Sequence, residues 1–364
     1  MRHFLSRPMV WLCSIWTLSC PVAWSDPGAT KPVFTAFVSA DAVTYDGPRP
    51  APADSDDLRA SGDFLATWDP GKFRLLAEFV ASTEEAEMER LQLGWELTPN
   101  TILWVGRFHQ PASFWGYLFH HGQFAQTPIT KPQVDDWEDS GGLLPQHFEG
   151  LLLDTVLSTS RGQRFDISFS VGTAPKLVDG KLEPFELIKR HQGAKLPAYS
   201  ARVTWYPDAL QEPSAGVLLS HAEIENNAAS RQLLPNRTHV DQNVIGVFAD
   251  YPSENARVTA VAYRVENQLS EVPGAPKQSF WSGYLQGERE LPHATRVYGR
   301  IEATSNIRGS DYLQTLNSVA VSRLITGLRW DVSRKQALTL EAARTRLVSE
   351  STSEFRLQWS AVIP

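Results

Sequence analysis

Side chains alternate between apolar and polar with a period of two along most of this chain, and amphipathic helical spacing is hard to find. Residues Gln163 to Gly172 place Phe165, Ile167, Phe169 and Val171 on one face and Arg164, Asp166, Ser168 and Ser170 on the other. The last stretch sets Phe355, Leu357, Trp359, Ala361 and Ile363 against Arg356, Gln358 and Ser360. Similar strips run from Phe73 to Ala81, Glu89 to Leu97, Tyr199 to Trp205 and Arg296 to Thr304, whereas Leu151 to Val156, Val244 to Ala249 and Ala337 to Leu347 alternate less cleanly. Sixteen strands are expected, beginning near Val33, Gly62, Lys72, Met88, Thr101, Phe148, Gln163, Ala198, Ser214, Thr238, Ala256, Gln278, Thr295, Asn317, Gln336 and Ser353.

The connections sort by parity. After even-numbered strands come short turns such as Asp69-Pro70-Gly71, Thr98-Pro99-Asn100 and Glu290 to Pro292. After odd-numbered strands most are long: residues 44–60, 108–146, 175–197, 225–237, 267–278 and 305–316, with 82–87 and 348–352 the exceptions. A soluble sandwich has no reason to sort its loops this way. A closed antiparallel transmembrane barrel does, because it turns tightly on its inner-facing side and loops more freely outside. The fold class read from this pattern is an all-β, closed antiparallel transmembrane β-barrel of about sixteen strands. Trp68, Trp95, Trp205, Trp330 and Trp359 fall near the ends of even strands and Trp104 near the start of an odd one, so all six are expected on one rim as an interfacial girdle.

Composition closes off several alternatives. No window beyond the N-terminus is long and apolar enough for a transmembrane helix. With 21% charged residues and a net charge of −7, a basic nucleic-acid footprint is not expected. Both cysteines, Cys13 and Cys20, lie in the first twenty residues, so thiol catalysis, cysteine-bound zinc and disulfides are excluded for the rest. Residues 1–25 read as a secretory signal peptide: Arg2, His3 and Arg7 form a basic start, Met9 to Leu18 is apolar, and Ala23-Trp24-Ser25 resembles a cleavage site. Lipidation at Cys20 is the competing reading, and Thr17-Leu18-Ser19 is a poor match for it. Residues 26–364 are then the barrel domain, with 108–146 folded inward.

Signal peptide, parity-sorted loops, girdle and alternating final strand together resemble Gram-negative outer-membrane porins, with phosphate-selective (O/P) porins the nearest kind. The resemblance implies an outer-membrane location, contact with lipid, assembly by the barrel-insertion machinery, a possible homotrimer, and a third external loop that enters the lumen. The final strand departs from the family pattern, since Ile363 occupies the parity of the usual terminal aromatic and Pro364 follows. The function expected is passive diffusion of small hydrophilic solutes or ions; the alternative is a non-conducting scaffold or surface-binding barrel. A fatty-acid transporter would need an N-terminal plug, for which there is no room before the first expected strand.

The 108–146 connection supplies the candidate constriction: Arg107, His109, His120, His121, Asp135, Asp136, Glu138 and His147. Three readings compete for these groups: fixed charges that sort solutes, a latch tying the loop to the wall, and a divalent metal site, although no His pair has helical metal-ligand spacing. Inward-facing positions include Arg74, Arg90, Arg107, Arg164, Arg202, Arg296, Arg300, Arg323, Arg329 and Arg356, against Glu78, Glu96, Asp154, Asp166, Asp241, Glu302 and Glu341. That arginine excess favours anions unless the arginines merely pair with carboxylates across the wall. No nucleophile elbow, phosphate loop or zinc-protease helix occurs, and Ser220 and His221, as strand neighbours, point to opposite faces. No catalytic site and no cofactor are expected.

Overall fold

The computed structural model describes residues 31–47, 58–83, 86–119, 123–138, 141–178, 180–183, 196–209, 212–226, 239–269, 276–316 and 319–364. Among the described residues there are eighteen strands: β1 Val33–Asp46, β2 Leu58–Trp68, β3 Phe73–Ser82, β4 Ala86–Thr98, β5 Thr101–His109, β6 His147–Ser158, β7 Arg164–Thr173, β8 Lys176–Val178, β9 Lys181–Glu183, β10 Pro197–Tyr206, β11 Ser214–Glu225, β12 His239–Pro252, β13 Ala256–Leu269, β14 Gln278–Leu291, β15 Thr295–Thr304, β16 Ser322–Ser333, β17 Gln336–Arg346 and β18 Ser351–Ile363. Sixteen of them form one closed antiparallel barrel, and β8 and β9 make a small separate hairpin. The seam closes between β1 and β18, in register from Ala36 opposite Ile363 to Asp46 opposite Ser353. Closure leaves no sheet edge, so the wall pairs its own backbone groups as a lipid environment requires.

The outer surface carries an apolar belt. Leu91, Leu93, Trp95 and Leu97 of β4 are exposed, as are Ile245 and Val247 of β12 and Phe355, Leu357 and Trp359 of β18. On the short-turn rim Trp68, Trp95, Trp205, Trp330 and Trp359 are all exposed, and Phe73 stacks on Trp95 with ring centroids 6.2 Å apart. Trp104 does not join them. Leu103 pairs with the outward Trp95, so Trp104 takes the opposite face, where its ring lies over Gly94 inside the barrel. A Cβ at Gly94 would stand 2.6 Å from that ring, which explains the glycine.

Two strand starts move from their expected positions. Asn317, near which a strand is expected to begin, lies outside the described residues; β16 begins at Ser322, downstream of a short helix, α2 (Asp311–Thr315), capped by the Ser310 hydroxyl. At the other end β2 begins at Leu58, ahead of Gly62. Asp241 also departs from expectation: Val240, Gln242 and Val244 take the inner face of β12, which turns Asp241 outward.

Candidate functional site: the in-folded loop and its anchors

The described residues of the 110–146 connection leave β5, cross the lumen and return to β6. The loop carries its own apolar side, including Phe114, Trp115, Phe119, Val134, Leu143 and Leu144, all buried. Facing it, the inner surface of β11–β13 is apolar as well, with Ile224, Val240, Val244, Phe248, Val261 and Val265 buried. Phe114 packs on Phe248 at a centroid distance of 4.6 Å. Burial of this kind contributes about 1.5–3 kcal/mol per large side chain, and it holds the helix α1, Phe114–Phe119, against the wall.

Polar contacts fix the register of the loop. The Ile129 and Thr130 N–H groups and the Thr130 hydroxyl donate to the Glu341 carboxylate at 2.9, 3.3 and 2.8 Å, and the Tyr298 hydroxyl donates to it at 2.8 Å. Gln133 N–H donates to Glu302 at 2.9 Å, and Thr127 donates to Glu288. Arg300 donates to the Thr130 carbonyl at 2.8 Å, while Arg323 reaches the Lys131 carbonyl at 3.2 Å. On the nearer wall Ala112 N–H donates to Ser200 at 3.0 Å, and Ser220 donates to Gln110 at 3.0 Å. Ser220 thus works inside the barrel while His221 faces outward and meets Asn243 at 3.1 Å, so the two cannot act as nucleophile and base.

The expected constriction residues separate into distinct settings. Asp135 is fully buried, accepting from the Tyr263 hydroxyl at 2.7 Å and from that of Tyr284 at 3.3 Å. Asp136 is half-buried and accepts from the Trp137 N–H at 2.9 Å. Glu138 accepts from the backbone of Gln146 and His147 and meets Nδ1 of His147 at 2.9 Å. Arg107 is buried with its guanidinium 3.6 Å from Glu87. His109 and His147 are buried together at the root of the loop, rings 4.9 Å apart. His120 and His121 lie outside the described residues.

Of the remaining expected arginines, Arg74, Arg90, Arg164, Arg202, Arg296, Arg300, Arg323, Arg329 and Arg356 line the inner face. Eight of these nine meet a carboxylate at ion-pair distance: Arg74 with Glu96, Arg90 with Glu78, Arg164 with Asp166, Arg296 with Glu290, Arg300 and Arg323 with Glu302, Arg329 with Asp331, and Arg356 with Glu354. Arg202 differs. It donates to Ser168 at 2.8 Å, and its guanidinium stacks 2.9 Å over the Tyr117 ring. A cavity of about 40 Å³ opens beside it, lined also by Arg90, Gln92, Trp104, His109 and Tyr117. At that size it holds about two or three waters.

Two groups of possible metal ligands stand out among the described residues: Glu89, His109 and His147, all buried, and Glu223, His239 and Asp241, half-buried on the outer face. Glu89 escaped the sequence reading because strict alternation puts it outside with Leu91 and Leu93. A β-bulge overrides that parity, since Glu78 pairs with Arg90 and Phe79 with Met88, leaving Glu89 as the extra residue.

Burial pushes the Asp135 carboxyl up to about 7, against the opposing pull of the Tyr263 hydroxyl, the Trp115 N–H and the Tyr284 hydroxyl. A carboxyl raised above its ordinary value favours the folded, protonated form. Its contribution to seating the loop is therefore fully present below about pH 4 and is lost as pH rises through about 7. Current fluctuations recorded in planar bilayers are expected to grow between pH 5 and pH 8, and Asp135→Asn is expected to flatten that dependence. Equal fluctuations at both pH values would remove Asp135 from this role.

The architecture is that of the outer-membrane porins. No family model matches the chain, and no curated relative matches it. Among solved structures it is similar to an anion-selective porin from Comamonas acidovorans, with a TM-score of 0.60 and 12% identity over 92% of this chain and 99% of that one. It is also similar to OmpT, an outer membrane protein of Vibrio cholerae, at 0.58 and 9% over 94% and 99%. The outer membrane channel DcaP of Acinetobacter baumannii follows the same fold at 0.56 and 11% over 91% and 97%.

Proposed function

We propose that this chain is an outer-membrane porin-like channel for passive diffusion of small hydrophilic solutes or ions, exported by a signal peptide at residues 1–25. The single observation that supports this most is a closed sixteen-strand wall, apolar outside, whose longest loop crosses an interior lined with ionic groups. At sixteen strands the interior is too wide for wall side chains to fill, and the loop is the part that narrows it. Single-channel recording of the purified protein tests the proposal: discrete conductance steps are expected, and a persistently silent membrane would favour the scaffold alternative.

Selectivity is proposed to rest on Arg202. A guanidinium in a direct ion pair presents little net field to a passing ion, whereas Arg202, which borders the cavity, meets its nearest acidic neighbour, Asp154, only through Ser168. Any anion preference should fall when it is neutralised. In asymmetric salt, the reversal potential of Arg202→Gln is expected to move toward the cation side of the wild-type value; an unchanged potential would dismiss the assignment. The sequence resemblance to phosphate-selective porins makes phosphate the anion to compare with chloride. The trimer form of one structural neighbour, the OmpT of Vibrio cholerae, makes a homotrimer the oligomer to look for by light scattering in detergent.

A further inference from the structure

We infer that Glu89, His109 and His147 form a binding site for one divalent transition-metal ion, with zinc as its reference ion, at the root of the in-folded loop. Three separate pieces of chain supply the ligands. His109 closes β5 and His147 opens β6, and the two stand directly opposite each other in register, which puts both imidazoles on one face of the wall. Glu89 reaches them only because the bulge in β4 turns it inward. One ligand atom from each lies within 4.8 Å of the other two, and Nε2 of His147 is already 2.7 Å from a Glu89 oxygen.

In a tetrahedral site with zinc–nitrogen and zinc–oxygen bonds of about 2.0–2.2 Å, ligand atoms stand about 3.4 Å apart. The His147–Glu89 pair, now at 2.7 Å, opens to admit the ion, and the widest pair, within 4.8 Å, closes by no more than about 1.4 Å, a shift that side-chain rotation supplies. A ligating imidazole characteristically gives its other N–H to a carboxylate, which fixes the tautomer and raises the basicity of the metal-facing nitrogen. Glu138 occupies that place on His147, 2.9 Å from Nδ1, and is itself held by the Gln146 and His147 N–H groups. Trp137 packs against both rings, at centroid distances of 5.1 Å from His109 and 5.5 Å from His147, and limits their rotation.

The donor set is one carboxylate and two imidazoles, with a second carboxylate, Glu138, behind His147. Oxygen and nitrogen donors suit zinc, nickel or copper over calcium or magnesium. Three protein ligands leave one position for water from the neighbouring cavity, which His109 also lines. Bound there, the ion would tie both ends of the loop to β4, whether or not the barrel conducts.

The test uses untagged full-length protein, folded in detergent and stripped with chelator. Calorimetric titration with zinc is expected to give one ion per chain. Cobalt(II) in its place should give the visible bands of a four-coordinate site, and zinc-edge absorption spectroscopy should report two imidazole nitrogens. His109→Ala and Glu89→Gln should each abolish or weaken binding at least tenfold, and Glu138→Gln should weaken it by about 10–100-fold while keeping the stoichiometry. His239→Ala, in the outer-face group, should leave it unchanged. Absence of saturable binding, an all-oxygen zinc shell, or loss with His239→Ala but not His109→Ala would overturn the assignment. The spectroscopic arm needs only the wild-type chain, so a variant that fails to fold does not shield the inference.

Discussion

Replacing residues 112–140 with a short Gly-Ser linker is expected to raise single-channel conductance severalfold. The segment removed contains α1 and the stretch whose Ile129, Thr130 and Gln133 N–H groups donate to Glu341 and Glu302 on the opposite wall. The other segments packed into the same core, among them β8–β9 through Leu177 and Leu182 and α2 through Tyr312 and Leu313, lose part of their support with it. The wall should survive, since each strand remains paired with both neighbours. It should also become less stable. Phe248 loses Phe114, and the buried apolar inner face of β11–β13 meets water, at about 1.5–3 kcal/mol for each large side chain uncovered. Bilayer recording and thermal unfolding of the same preparation check both halves. A barrel that stays silent without the loop would be closed by something else, and the channel reading would give way to a scaffold.

That apolar inner face also explains where the sequence was hard to read. Clean alternation in Arg164–Thr173 and Ser351–Ile363 reports a wall with lipid on one side and polar groups on the other. Val244 to Ala249 lost the pattern because Val244 and Phe248 point inward against the loop while Ile245 and Val247 point out to lipid. Period two was still present in the backbone, but both faces had become apolar. The same logic placed Trp104 on the wrong side, for distance from a strand end gives depth without giving face.

The loop illustrates a different limit. Its length and its clustered histidines and carboxylates marked it as special, and its path into the barrel follows from the strand it leaves. Which of its groups would meet solute did not follow. Asp135 is taken up by Tyr263 and Tyr284, and Glu138 by the backbone of its own return segment, partners more than a hundred residues distant or set by a turn that no periodicity encodes. Glu89 was invisible because a single extra residue in β4 reverses parity locally. Arg202 is among the expected inner-face arginines, but that it meets Ser168 in place of a carboxylate depends on β7 and β10 lying side by side.

Glu341→Ala is expected to unseat the loop while leaving the wall intact. This one carboxylate accepts from the Ile129 N–H, the Thr130 N–H and hydroxyl, and the Tyr298 hydroxyl, and it is nearly inaccessible to water. Alanine removes all four acceptor contacts at once. Two loop N–H groups then lose their partner in a buried setting, at about 1–3 kcal/mol each. The loop can recover that loss by lifting toward solvent, which the strand pairing of β17 with β16 and β18 cannot do. The recorded channel should therefore flicker between sub-levels and a larger open current, and protease should cut between residues 123 and 138 much faster than in the wild type. Glu341→Gln retains one oxygen that can accept, so its currents should lie between the two. Steady wild-type currents in Glu341→Ala would mean that the apolar contact of Phe114 and Trp115 with the wall, and not this carboxylate, holds the constriction in place.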